Sequence, residues 1–169
     1  MDSFYSPENK IRSAAERKPY LLRRWANYPL TLHTSGEEGY DWLDPGDWAI
    51  TLANPFGGDE LEITGTDEFT LYFNDWHAHY FLYEQEFQVL VADAEGILDG
   101  TKCALVLEIG GKWMLSRLED VPPKPAQLTR EALLEGCHLS AGEKERLQKE
   151  PGTLSLRFWD PARNRTISL

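Results

Sequence analysis

Two histidines one residue apart, in Trp76-His77-Ala78-His79-Tyr80, are the sharpest chemical feature of the chain. On a strand, residues i and i+2 point to one face, so the spacing of His77 and His79 predicts two imidazoles side by side. Neutral ring nitrogens so arranged can grip a divalent transition metal when a carboxylate adds a further ligand. Glu84, five positions after His79, is the candidate third ligand, with Asp75 and Glu86 also close in sequence. Imidazole titrates near neutrality, which also suits acid–base chemistry. The competing expectation is structural: one histidine packs in the sheet and the other faces water.

The spacing invites comparison with the cupin metal motif, in which a glutamate follows His-x-His at this distance. The flanking pattern fails. No glycine precedes at the required position, Val91 stands where the trailing glycine belongs, and no second histidine motif follows. Other constellations are weaker still. Asp41, Asp44 and Asp47 surround Pro45-Gly46 at three-residue spacing, whereas a calcium loop needs acids at alternate positions and a terminal glutamate. Acids beside Pro-Gly predict a turn. Gly57-Gly58 and Gly110-Gly111 lack the spacing of a phosphate-binding loop. Cys137 and His138 are adjacent, which points their side chains apart more often than together. Cys103 and Cys137 read as free thiols, consistent with a reducing compartment and an expected cytoplasmic location.

Charge distribution is the larger signal. Residues 1–24 carry six Lys/Arg against three acids. Residues 25–100 carry sixteen acids and no Lys/Arg, and residues 101–169 carry eleven bases against nine acids. The net charge of −11 argues against nucleic acid as a partner, because phosphate binding needs a clustered basic surface. No apolar run is long enough to cross a bilayer, so no membrane association is expected. Sixteen uncompensated carboxylates create a negative field on whatever face they share. Such a field steers and anchors a basic protein. Alternatively, the basic first 24 residues lie across it, or the acids simply face water.

The elements that position these residues are readable from pattern. Ser6-Pro7 opens a short helix ending at Lys18-Pro19, and Tyr20 to Leu32 is expected to be extended, with Pro29 holding it at an edge. Ser35 to Gly46 reads as a loop. Short strands follow at Trp48–Ala53, Leu61–Thr64, Phe69–Phe73 and Trp76–Phe81. Tyr83 to Leu98 is the clearest helix: Tyr83, Phe87, Leu90, Val91, Ala94 and Ile97 make one apolar face, and Gly100 supplies the C-terminal cap. Cys103–Ile109 and Lys112–Leu118 form a hairpin around Gly110-Gly111. Thr129 caps a helix to Glu135, Ser140-Ala141-Gly142-Glu143 is a capping box, and a final hairpin turns at Asp160-Pro161. The expected fold is therefore α+β in a single domain, residues 1–169. It has an antiparallel sheet of about six or seven hairpin-built strands, with the main helix at 83–98 and short helices on one face.

The run Asp67-Glu68-Phe69-Thr70-Leu71-Tyr72-Phe73-Asn74-Asp75-Trp76-His77-Ala78-His79-Tyr80, followed by the amphipathic helix and the Gly110-Gly111 hairpin, resembles small bacterial α+β proteins. Among these are immunity-type proteins that neutralise toxins from neighbouring cells. The resemblance spans residues 60–118 and implies a bacterial, cytoplasmic protein-binding protein. The leading expectation is thus an acidic face that engages a basic partner protein. The alternatives are a metal-dependent or acid–base enzyme centred on His77 and His79, which is the less favoured reading, and a small-molecule binder between the sheet and the main helix. Beyond that transition metal, no cofactor is expected.

Overall fold

The computed structural model describes residues 5–135, 137 and 139–169, and divides the chain into two compact units, residues 1–95 and 96–169. The fold is α+β with antiparallel pairing throughout. Instead of the one sheet of six or seven strands that sequence pattern suggests, the described residues form two, of five and four strands. Local pattern marks where strands form but not which of them share a ladder. Here the main helix intervenes between β5 and β6, and the ladder is not continued across it.

In the first unit, five strands form a meander in chain order: β1 (Leu30–Thr34), β2 (Trp48–Leu52), β3 (Leu61–Gly65), β4 (Phe69–Phe73) and β5 (Trp76–Tyr80). β4 and β5 are joined by Asn74-Asp75, where Asn74 takes φ 54°, a left-handed conformation that asparagine tolerates better than most residues. The register fixes which side chains share a face. Leu30, Leu52, Leu61, Phe73 and Trp76 are one rank; Leu32, Ile50, Ile63, Leu71 and Ala78 are another; Thr34, Trp48, Gly65, Phe69 and Tyr80 are a third. These ranks lie on one side and supply most of the unit's core, including the fully buried Trp48, Phe69 and Leu71. The intervening ranks, Thr31-Thr51-Glu62-Tyr72-His77 and His33-Ala49-Thr64-Thr70-His79, are largely polar and lie on the other side.

The N-terminal reading needs correction. Short 3-10 turns occupy Pro7–Asn9 and Ala14–Glu16, and Lys18-Pro19 begins a helix, α1 (Lys18–Arg24), instead of ending one. Proline ends a preceding helix and opens a following one equally well, because the first turn of a helix needs no N–H from it. The extended segment accordingly starts at Leu30, and β1 does lie at the sheet edge after Pro29. The main helix, α2 (Glu84–Asp99), falls within one residue of its expected bounds, and Gly100 follows it at φ 75°. Within the first unit α2 packs on the apolar face of the sheet: the rings of Phe87 and Phe69 lie 5.3 Å apart, and Tyr20 of α1 meets Phe87 edge-on at 5.5 Å.

The second unit is a sheet in the order β7-β6-β8-β9, formed by β6 (Lys102–Ile109), β7 (Lys112–Asp120), β8 (Gly152–Arg157) and β9 (Arg165–Ser168). Gly110 and Gly111 both adopt positive φ, 60° and 71°, as the tight β6–β7 turn demands. Two short helices, α3 (Arg130–Glu135) and α4 (Ala141–Leu147), contribute Leu133, Leu134 and Leu147 to a core with Leu105, Leu107, Leu154 and Leu156. Thr129 Oγ1 accepts from the Ala132 N–H at 3.3 Å, and the Ser140–Glu143 capping box is complete. Gly136, expected after α3, lies outside the described residues.

A candidate protein-binding face

The polar ranks of the five-stranded sheet gather three of the chain's four histidines. His33 on β1 and His79 on β5 occupy the same rank at opposite edges, four strand steps and roughly 19 Å apart, and His77 stands in the neighbouring rank. Sequence spacing places His77 beside His79 but gives no sign of His33. The available signal was the alternation Leu30-Thr31-Leu32-His33, which puts His33 on the polar side of an edge strand.

The His77/His79 pair is exposed, with ring centroids 5.2 Å apart and planes at 89°. Across the β4–β5 ladder His77 faces Tyr72, whose ring lies 5.6 Å away. His79 Nδ1 contacts Glu68 Oε1 at 2.6 Å and Thr70 Oγ1 at 3.3 Å. The carboxylate brought to the histidines is thus Glu68, from the turn before β4, whereas Glu84 is engaged elsewhere. Its Oε2 accepts from Arg17 Nη2 at 2.5 Å and its Oε1 from Gln88 Nε2 at 2.7 Å. Burial opposes the charge on Glu84, but the hydrogen bonds from Gln88 and Arg17 outweigh it and hold the carboxyl below its ordinary range. Among the described residues no group of three or more His, Cys, Asp and Glu side chains is arranged to hold a metal ion.

At the β1 edge the acidic loop folds back onto the sheet. Tyr40 stacks on His33 with ring centroids 3.9 Å apart, and its hydroxyl donates to Glu62 Oε2 at 2.9 Å. His33 is held from both sides, Nδ1 by Glu37 Oε2 and Nε2 by Thr51 Oγ1, each at 3.1 Å. Burial, then the hydrogen bond and charge of Glu62, and then the charges of Glu60 and Glu37 push the Tyr40 phenol up to about 12. Glu37 is shifted the other way: the Thr34 N–H, His33 and the Thr34 hydroxyl all donate to it and hold it below the ordinary carboxylate range. The Asp44-Pro45-Gly46-Asp47 segment is a turn, with the Asp47 N–H donating to the Asp44 carbonyl at 3.0 Å.

The basic N-terminal segment also reaches the acidic stretch, but on the helix. Besides Arg17–Glu84, Arg24 Nε meets Glu95 Oε1 at 2.5 Å, and Tyr5 donates to Glu86 at 3.0 Å. The guanidinium of Arg17 also lies 5.7 Å above the Phe87 ring. These pairs offset part of the charge on α2. On the sheet face, Glu37, Glu62 and Glu68 are engaged by His33, Tyr40 and His79, and the contacts that hold them are to imidazole and phenol groups, not to lysine or arginine. Trp42 and Tyr72 add exposed aromatic surface to this acidic setting.

Both cysteines are free thiols. Burial pushes the Cys103 thiol up to about 11, with the Glu119 charge adding to it. Cys137 is also raised by burial, and its Sγ lies 3.6 Å from the Leu133 carbonyl. The adjacent His138 lies outside the described residues. Between sheet and helix, where a ligand pocket would sit, the Phe69 and Phe87 rings are in contact. No protein-family model, curated protein or solved structure matches this chain.

Proposed function

We propose that the chain is a protein-binding protein of the immunity type, and that the acidic, histidine-bearing face of its five-stranded sheet engages a basic partner. One observation carries the reading: the carboxylates of that face are fixed in place by histidine and tyrosine, not neutralised by lysine or arginine. A solubilising surface has no need to hold its carboxylates in defined positions, whereas a recognition surface gains from groups ordered before the partner arrives. Tyr72 and Trp42 supply the rigid aromatic area that protein interfaces favour.

The experiment is affinity capture from the native cell lysate at low salt. The bait is the wild-type chain or a triple variant, Glu37→Gln, Glu62→Gln and Glu68→Gln, which removes the carboxylates held by His33, Tyr40 and His79. A basic protein retained by the wild type, eluted by salt and lost with the variant supports the proposal. Equal retention by both baits, or retention insensitive to salt, refutes it.

A further inference from the structure

In an acidic protein, the second unit contains a cleft lined by two arginines. It has a volume of about 230 Å³; Val121, Pro122, Leu156 and Phe158 form an apolar wall, and Arg163 and Arg165 stand at its polar side. Neither guanidinium forms an ion pair with a described carboxylate. The acids near them in sequence or space are otherwise engaged: Asp160 Oδ1 accepts from the Ala162 N–H at 2.9 Å, and Glu119 pairs with Arg117. Residues 101–169 also carry a small excess of base, so the cleft lies outside the acidic stretch.

Arg163 is presented by an ordered loop, and Arg165 is the first residue of β9. Pro161–Arg163 forms a 3-10 turn capped by Asp160, and the Phe158 N–H donates to Asn164 Oδ1 at 2.8 Å, closing the loop on itself. The Arg163 guanidinium lies 4.5 Å above the Phe158 ring. Its other side passes so close to Gly100 that a Cβ at that position would collide with it. A guanidinium held over an aromatic ring, with a second arginine lining the same cleft, offers donor forks matched to a carboxylate. The apolar wall has room for a ring, since about 150 Å³ suffices for benzene.

We infer that this cleft is a binding site for a small organic carboxylate bearing an aryl or alkyl group. The carboxylate sits on Arg163 and Arg165, and the apolar group lies against Leu156, Phe158 and the Val121-Pro122 segment. This site is independent of the acidic face on the five-stranded sheet.

The test is a titration of the full chain, followed by amide chemical-shift changes, with hydrocinnamate, its neutral amide, and acetate as probes. The expected result is saturable shifts confined to residues around 121–123 and 156–165 with hydrocinnamate, and binding at least about tenfold weaker for the amide and for acetate. Arg165→Gln should weaken hydrocinnamate by about tenfold or more while leaving the melting temperature unchanged. Arg163→Lys, which retains a cation above Phe158, should weaken it less than Arg163→Gln. Equal binding of acid and amide overturns the assignment, as do saturable shifts elsewhere or no saturation at millimolar probe. A peptide ending in phenylalanine serves as the further arm: if it binds where hydrocinnamate does not, the small-acid assignment is wrong.

Discussion

His33 and Tyr40 stack ring on ring, with centroids 3.9 Å apart and planes 12° from parallel, and this contact fastens the acidic loop to the edge of the sheet. The Tyr40 hydroxyl then carries the loop one step further, to Glu62 on β3. Tyr40→Phe keeps the stack and loses that hydrogen bond, so it should cost about 1 kcal/mol in urea denaturation. Tyr40→Ala loses both and should cost about 2 kcal/mol or more, with new protease cleavage within residues 35–46. If Tyr40→Ala is as stable and as protease-resistant as the wild type, the loop is not held this way.

The same tyrosine predicts an alkaline limb. Its folded pKa, about 12, lies above the ordinary value of 10.0, so the folded state holds the proton more tightly than the unfolded chain does. The stabilisation is therefore complete below about pH 10 and is lost as pH rises towards 12. Denaturation measured across this window should show falling stability, and Tyr40→Phe should show a shallower fall. An identical slope in both proteins would contradict the assignment. Tyr80, raised by burial and by Asp93, contributes a limb in the same direction that Tyr40→Phe leaves in place.

Much of this is legible in the sequence, and where the structure differs the causes are physical. Alternation and turn chemistry place β4 at Phe69–Phe73, the Gly110-Gly111 hairpin and the Ser140 capping box, because each depends on residues within a few positions of one another. The start of α1 is not readable from the sequence because Lys18-Pro19 suits either end of a helix. The place of His33 is not readable from the sequence because its relation to His79 arises only from register across four strand steps, which no local pattern encodes. Glu84 looked like a ligand by distance along the chain, but the turn before β4 brings Glu68 to His79 instead.

Trp48 and Gly65 supply a packing test. The two are directly paired across β2 and β3, and a Cβ on Gly65 would collide with the indole ring of Trp48, which is fully buried. Gly65→Ala should therefore destabilise the first unit by about 2 kcal/mol through overpacking, although alanine ordinarily favours order over glycine. Differential scanning calorimetry reads the change. An unchanged or raised melting temperature would mean that the indole yields without cost.

Arg130 should be the most sensitive charged residue of the second unit. Its Nη1 donates to the carbonyls of Leu147 and Gln148 at 3.0 Å and of Glu150 at 2.5 Å, and its Nη2 to that of Leu169. One guanidinium thus ties the end of α4 to the residue after β9. Arg130→Met should cost about 3 kcal/mol, and Arg130→Lys should restore only part, since an ammonium cannot reproduce the planar fork. Urea midpoints equal for all three proteins would show that these carbonyls are satisfied equally well by water.

The central claim, that the ordered carboxylates beside His33, Tyr40 and His79 recognise a basic protein, is tested most directly by the dissociation constant of the captured partner against ionic strength. Wild-type binding should weaken steeply with salt, and the Glu37→Gln, Glu62→Gln, Glu68→Gln variant should bind at least about a hundredfold more weakly at low salt, with circular dichroism confirming that it is folded. A dissociation constant that is flat with salt and the same for both proteins would contradict it.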